Sequence, residues 1–336
     1  MAPTQRFITI PRNRGLPLKQ EKTVKLDFTE RRPSFEARIG TRPSGSLDLA
    51  EVERENIGNI FRLEHVNLRV PDPLMAMVFY MMGMGFTRDP HFIVGPDNMW
   101  ITVGDTQFHM PVGKVQVLRG HIGIVMPNLD ALVGRLTEIK SRLNNTQFGW
   151  SRDKSGVWVT CPWGNRFHCY VPSNKHAGMR LGLGVVQLNV PMGTAAGIGR
   201  FYDRVMDTPI HLGKSKGKAR LTVLIGGNQQ LIFQETDAPI PPFDGHHIAV
   251  YTANMSKAFG WLLERGLLVD GLARHQYRFT AIVDPATDEK LFDLEQEVRS
   301  FKHPMFLRPL INRDPLLSIM NYSGGERPTP TLPWGP

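Results

Sequence analysis

Cysteine is nearly missing: Cys161 and Cys169 are the two in 336 residues. That excludes a disulfide framework and a cysteine-rich metal site, so any bound metal must be held by imidazole and carboxylate. Long apolar runs are missing too. No stretch approaches the roughly 20 apolar residues that cross a bilayer, and the opening MAPTQRFITIPRNRG lacks the apolar centre of a secretory signal. A soluble, cytoplasmic protein with no membrane partner is expected. Acidic residues are scarce relative to basic ones, 31 against 40. The imbalance is local, because residues 1–45 carry ten Lys or Arg and four Asp or Glu, about two thirds of the net +9. With its Pro, Gly and Arg content, segment 1–59 reads as an extended basic arm that packs across the body or against a neighbouring subunit of a homo-oligomer, with disorder or the steering of anionic substrates or polyanions as the alternatives. No RNA-binding strand motif or zinc finger accompanies it, so no specific nucleic-acid partner is expected.

What is present, 41% hydrophobic against 21% charged residues, suits a chain with a large buried core. From about residue 60 one pattern recurs: a short strand, a Pro or polar turn, an amphipathic helix, then several strands. EHVNLRVP (64–71) alternates His65, Asn67 and Arg69 with Val66, Leu68 and Val70, and LMAMVFYMM (74–82) follows as a short apolar helix. GHIGIVMP (120–127) opens a second module. Its helix places Leu129, Leu132, Val133, Leu136, Ile139 and Leu143 at three- and four-residue spacing behind an Asn128 cap. GVVQLNVP and a helix over 194–206 begin a third module, and GHHIAVYT and a helix near 253–264 a fourth. SNKHAGMR (173–180) reads as a linker between halves. The expected organisation is the arm (1–59), a pair of βαβββ modules (60–172), a second pair (173–300) and a packing tail (301–336). The fold class is α+β, with the four repeated βαβββ modules forming two paired, barrel-like curved sheets.

Four histidines occupy related places in the first two modules. His65 and His121 lie on opening strands, each six residues before a proline, and His109 and His168 lie on closing strands. Neutral imidazole coordinates divalent metals, and rigid strands can fix ligand separations. Two-residue periodicity puts Gln107 on the face of His109, and Arg166 and Tyr170 on the face of His168, where they can orient ligands or substrate. A lone strand histidine is more often a surface or core residue, and the repeated placement is what singles these four out.

The ordered recurrence of EHVNLRV, GHIGIVM and WGNRFHCYV resembles the vicinal oxygen chelate superfamily, which includes glyoxalase I, fosfomycin-resistance proteins and extradiol dioxygenases. The resemblance spans about residues 60–300, and His168 stands where the family's closing segment usually has a carboxylate. It implies metal ligands on the first and last strands of paired modules: His65, His109, His121 and His168. Four-module members that cleave catechols place iron in the C-terminal pair. There this chain offers His246, or else His247, with a carboxylate among Asp293, Glu295 and Glu297, while Val185 and Gln187 occupy the third module's opening strand. His246 with Glu295 is thus the alternative metal set.

The resemblance implies a metal-dependent dioxygenase acting on a small aromatic or phenolic substrate, with Fe(II), O2 and possible extradiol ring cleavage. Three histidines would bind the metal. The fourth, among His109 and His168 with Tyr170 nearby, would serve as catalytic base or hydrogen-bond donor. Two other readings remain open: a redox-neutral lyase or isomerase using Zn, Mn or Ni, and a non-catalytic protein that binds an aromatic ligand.

Overall fold

A computed structural model describes residues 56–89, 97–176, 178–308 and 310. Most of the arm, residues 1–55, and the packing tail beyond 310 lie outside the described residues.

Each module supplies four strands, in chain order. The first gives β1 (Ile60–Asn67), β2 (Thr87–Arg88), β3 (Asn98–Val103) and β4 (Thr106–Pro111). The second gives β5 (Gly120–Val125), β6 (Gly149–Asp153), β7 (Gly156–Thr160) and β8 (Arg166–Tyr170). The third gives β9 (Gly182–Pro191), β10 (Ile210–Ser215), β11 (Lys218–Ile225) and β12 (Gln229–Thr236). The fourth gives β13 (His247–Thr252), β14 (Leu268–Ala273), β15 (Gln276–Val283) and β16 (Lys290–Ser300). One helix follows each opening strand. Asp72 caps the first through Leu74 and Met75 N–H, Pro73 occupies its first turn, and Met77–Gly83 continue it with π geometry. In the second, Leu129–Ile139, the Asn128 side chain accepts from Ala131 N–H as the sequence indicates. Ala195–Arg200, extended by a π turn over Phe201–Val205, and Ser256–Glu264 complete the set.

The strands form two open eight-stranded sheets, in the orders β14-β15-β16-β13-β1-β4-β3-β2 and β10-β11-β12-β9-β5-β8-β7-β6. The expectation of barrel-like curved sheets is corrected here, because neither sheet closes. Closure requires the two end strands to pair, and β2 and β14, like β6 and β10, stand at opposite ends with no partner strand beyond them among the described residues. Opening strands meet antiparallel at each sheet's centre, β1 against β13 and β5 against β9, which sends the remaining strands of the two modules outward in opposite directions.

Hydrogen bonding therefore joins the first module to the fourth and the second to the third, where sequence order suggested consecutive partners. Consecutive modules meet instead through helices and core rings. Phe79 lies 5.7 Å and Phe108 5.9 Å from Phe167, ring centre to ring centre, and Phe201 packs against Trp261 and Phe279. Each such buried aromatic contributes about 1.5–3 kcal/mol of transfer free energy. Gln229 ties the sheets together: its amide receives Leu63 N–H at 2.9 Å and donates to the carbonyls of Leu63 and Leu183.

The β3–β4 turn approaches the second sheet so closely that only glycine fits. Gly104 has φ +61°, and a β-carbon there would lie 1.7 Å from the Leu181 carbonyl oxygen. Gly104→Ala is expected to cost more than about 1 kcal/mol, read as a lower urea midpoint with an unchanged slope.

Candidate metal centre

Alternation along the central strands decides which side chains leave the core. In β1, Val66 is buried against the helices and His65 and Asn67 turn to the opposite face; in β13, Ile248 and Val250 are buried in the core and His247 turns away. The register sets His65 opposite Ala249 and Asn67 opposite His247, and on the flanks brings His109 beside Asn67 and Glu297 beside Ala249.

His65, His109 and His247 consequently converge. One ligand atom from each lies within 4.8 Å of the others. The His65 ring centre is 5.9 Å from that of His109 and 5.8 Å from that of His247. This tri-histidine site is compatible with a divalent metal ion, and what surrounds it strengthens the fit. Glu64 Oε2 lies 2.6 Å from His65 Nδ1, Glu295 Oε1 lies 3.6 Å from His247 Nδ1, and Asn98 Oδ1 lies 2.5 Å from His109 Nε2. Outer partners of this kind fix ring orientation in metal sites. The Nε2 atoms of His65 and His247 are buried and have no hydrogen-bond partner among the described residues. Left so, each would cost about 1–3 kcal/mol, and a shared cation removes both costs.

Burial favours the neutral form of His109 and His247, the form that coordinates a metal. Burial, followed by the positive field of His65, Arg299 and Arg278, lowers His109 from the usual imidazole value to about 3. Burial likewise drives His247 far down. For Glu64, burial pushes upward, but His65, Arg299 and Arg62 outweigh it and hold the carboxyl at about 2. Trp100 stacks on His109 at 4.1 Å and meets the edge of His65 at 4.9 Å. Around the triad, Arg299 pairs with Glu64 at 2.7 Å and with Glu297, and Arg278 pairs with Glu297 and, at 3.0 Å, with Glu295. Residues 301–308 cross this same face: Arg299 donates to Met305 Sδ, Phe306 packs on Phe61 and Tyr251, and Arg308 bonds Gln107.

Of the sequence candidates, His65 and His109 enter this cluster. His121 and His168 lie in the other sheet with Tyr170, their rings 6.4 Å apart and joined by Trp158, which stacks on His168 at 4.2 Å. The Trp–His–His arrangement of the first module is thus repeated in the second. The registers differ in what completes it. His121 faces Gln187, Gly123 faces Val185, and Ile232 pairs with Gln187. The positions of His247 and Glu297 are therefore filled here by Val185 and Ile232. His246 points to the opposite face from His247, bonds Asp244 at 2.6 Å and stays outside the cluster; Glu295 flanks it through His247. The cluster takes in His247, where the sequence favours His246. The shared spacing of His65-Val66-Asn67-Leu68 and His247-Ile248-Ala249-Val250 was the signal available to find it.

Burial, then His168, Arg166 and Arg220, lowers His121 to about 4. An unfolded chain takes up that proton near pH 6.5, so the stability from the neutral ring is complete above this value and is lost as pH falls toward about 4. His121→Gln should flatten the acid limb of a melting-temperature profile between pH 7 and 4, by on the order of 1–3 kcal/mol.

The sequence matches no protein-family model and no curated protein. Solved structures do match. Glyoxalase I from Zea mays aligns with TM-score 0.51 and 13% identity over 71% of this chain and 92% of that one. A single-residue mutant of the same maize enzyme gives 0.48 and 14% over 71% and 92%. The 2,2',3-trihydroxybiphenyl 1,2-dioxygenase from Sphingomonas wittichii gives 0.28 and 13% over 72% and 90%. The chain has the vicinal oxygen chelate fold. The tri-histidine cluster gives this fold a site compatible with a divalent metal ion. No helix among the described residues is long and apolar enough to cross a membrane.

Proposed function

We propose that this chain is a metal-dependent dioxygenase for a small aromatic or phenolic compound, with its ion, Fe(II) in this reading, held by His65, His109 and His247. The observation that carries it is the pair of buried Nε2 atoms of His65 and His247, without a hydrogen-bond partner among the described residues and contributed by different modules to a cluster with His109. A bound ion would supply a Lewis-acid centre at which adjacent substrate oxygens and O2 meet, lowering the entropic cost of their encounter.

The chain's own residues have separable parts. Glu64 holds His65 by its Nδ1 and Asn98 holds His109 by its Nε2, so each ring presents its other nitrogen. Trp100 walls the site on the His109 side and gives a flat aromatic substrate a surface to meet. Arg278 and Arg299 occupy Glu297, which leaves three neutral protein ligands and more open positions than a four-ligand set would.

A redox-neutral lyase or isomerase is the second reading, and Glu297 is the observation behind it. It stands at the register position where β4 has His109, and a carboxylate freed there from its arginines can accept a substrate proton. Anaerobically purified chain loaded with Fe(II), then with Zn, Mn or Ni, separates the two when assayed on phenolic and on oxygenated aliphatic substrates. Stoichiometric O2 uptake with the iron form is expected. Turnover of any substrate at full rate without O2 overturns the dioxygenase reading and selects the second.

A further inference from the structure

The second sheet's outer face differs in kind from the first. On the first sheet the histidines lie among Glu64, Glu295 and Glu297 with Arg278 and Arg299, acid balancing base. Across β8, β5, β9, β12 and β11 the outward positions around His121 are Arg166, His168, Gln187, Gln234 and Arg220, and none is acidic. Arg220 donates to the side-chain oxygens of Gln187 at 3.0 Å and Gln234 at 3.3 Å, both neutral. Arg166 lies over the Trp158 ring, 5.1 Å from its centre. Asp153 accepts from the Ser155 hydroxyl, which lies 3.1 Å from His168 Nε2.

Access differs as well. His65, Asn67, His247 and Glu297 are buried, whereas His121, His168, Gln187, Gln234 and Arg220 remain partly open to solvent. Two guanidiniums with no ion pair among the described residues, beside two imidazoles and an indole, leave donor capacity for a ligand on a half-dry surface. An arginine is suited to planar oxyanions because its paired N–H groups match two oxygens. Val185 and Ile232 leave the two histidines without the further ligands that the first sheet offers a cation.

We propose that this face of the second sheet is a metal-independent binding site for a small molecule bearing a carboxylate or phosphate, its oxyanion gripped by Arg220 and Arg166 and its body lying against His121 and Trp158. The site does not depend on the reading of the metal centre. It gives the chain two unlike sites built on one repeated pattern, one for a cation and one for an anion.

The test titrates the full chain with benzoate, phenyl phosphate and inorganic phosphate, following heat of binding and the ring resonances of His121 and His168. Saturable binding of at least one probe is expected, and comparison of the three separates carboxylate from phosphate recognition and the contribution of the ring. Arg220→Gln should weaken it by about tenfold or more, Arg220→Lys should retain part of the affinity, and Arg166→Gln should weaken it less. Melting curves and bound-metal content, both expected to match the parent chain, show that Arg220→Gln is folded and that the triad is untouched. Absence of saturable binding by all three probes, or equal affinity in parent and Arg220→Gln, overturns the proposal.

Discussion

Replacing His65 or His247 by alanine is expected to reduce divalent-metal affinity by about a hundredfold or more, while His121→Ala leaves both affinity and stoichiometry, one ion per chain, unchanged. The reasoning is geometric. Removing one of three converging imidazoles deletes a ligand that no neighbour replaces, because Glu297, the nearest candidate by register, is already paired with Arg278 and Arg299. Changing an outer partner alone typically costs 10–100-fold, so loss of a direct ligand should exceed that, and Glu64→Gln should fall within it. Loss of the His65 ring also strands Glu64 beside Arg299 without its second partner, so folding must be checked by near-ultraviolet circular dichroism before metal analysis. His121 stands in the other sheet, where Val185 and Ile232 fill the remaining places. Equal metal loss in His121→Ala and His65→Ala would sink the assignment.

The same contrast shows what the chain's letters disclose. Alternation of polar and apolar residues in 64–71, 120–127 and 247–252 is a local property, since each strand must turn one side to the core. It sets His65 apart from Val66 and Leu68 on one face of its strand, and the Asn128 cap likewise needs no distant information. Pairing of β1 with β13 joins residues as far apart in the chain as Ile60 and Thr252, and nothing in either strand states which opening strand it will meet. For that reason sequence order sets His121 and His168 beside His65 and His109, although the sheet partner of their module is the third module. The doublet His246-His247 posed a choice between two faces of one strand. The buried Ile248 and Val250 resolve it, because a residue one place before Ile248 must point away from the core. The expected barrel curvature failed for a related reason: sheet closure is set by which edges meet, and edges such as the two-residue β2 leave no signature of their partners.

Arg299→Met should destabilise the chain by about 3–5 kcal/mol, because it removes the guanidinium shared by two buried carboxylates and leaves Glu64 with His65 and Glu297 with Arg278 in a dry setting. The Arg299 side chain is 6% exposed, and those of Glu64 and Glu297 are 7% and 2% exposed, so water cannot take its place. Burial by itself would push the Glu64 carboxyl upward; the opposing pull of His65 and Arg299 is what keeps it ionised. With the guanidinium gone, Glu64 should regain a proton at higher pH, and its grip on His65 Nδ1 should weaken. Two readouts follow. Urea unfolding at pH 7 should show the midpoint falling, and the deficit relative to the parent chain should shrink as acid protonates the stranded carboxylates. The triple change Glu64→Gln, Glu297→Gln, Arg299→Met should recover much of the stability, since replacing every member removes the unpaired charge along with the pairs. Metal affinity should not recover with it, because the oxygen of a neutral amide is a poorer acceptor for the His65 N–H. Recovery of both would show that the acid–base network serves only to hold the strands together and contributes nothing to how the histidines are aimed.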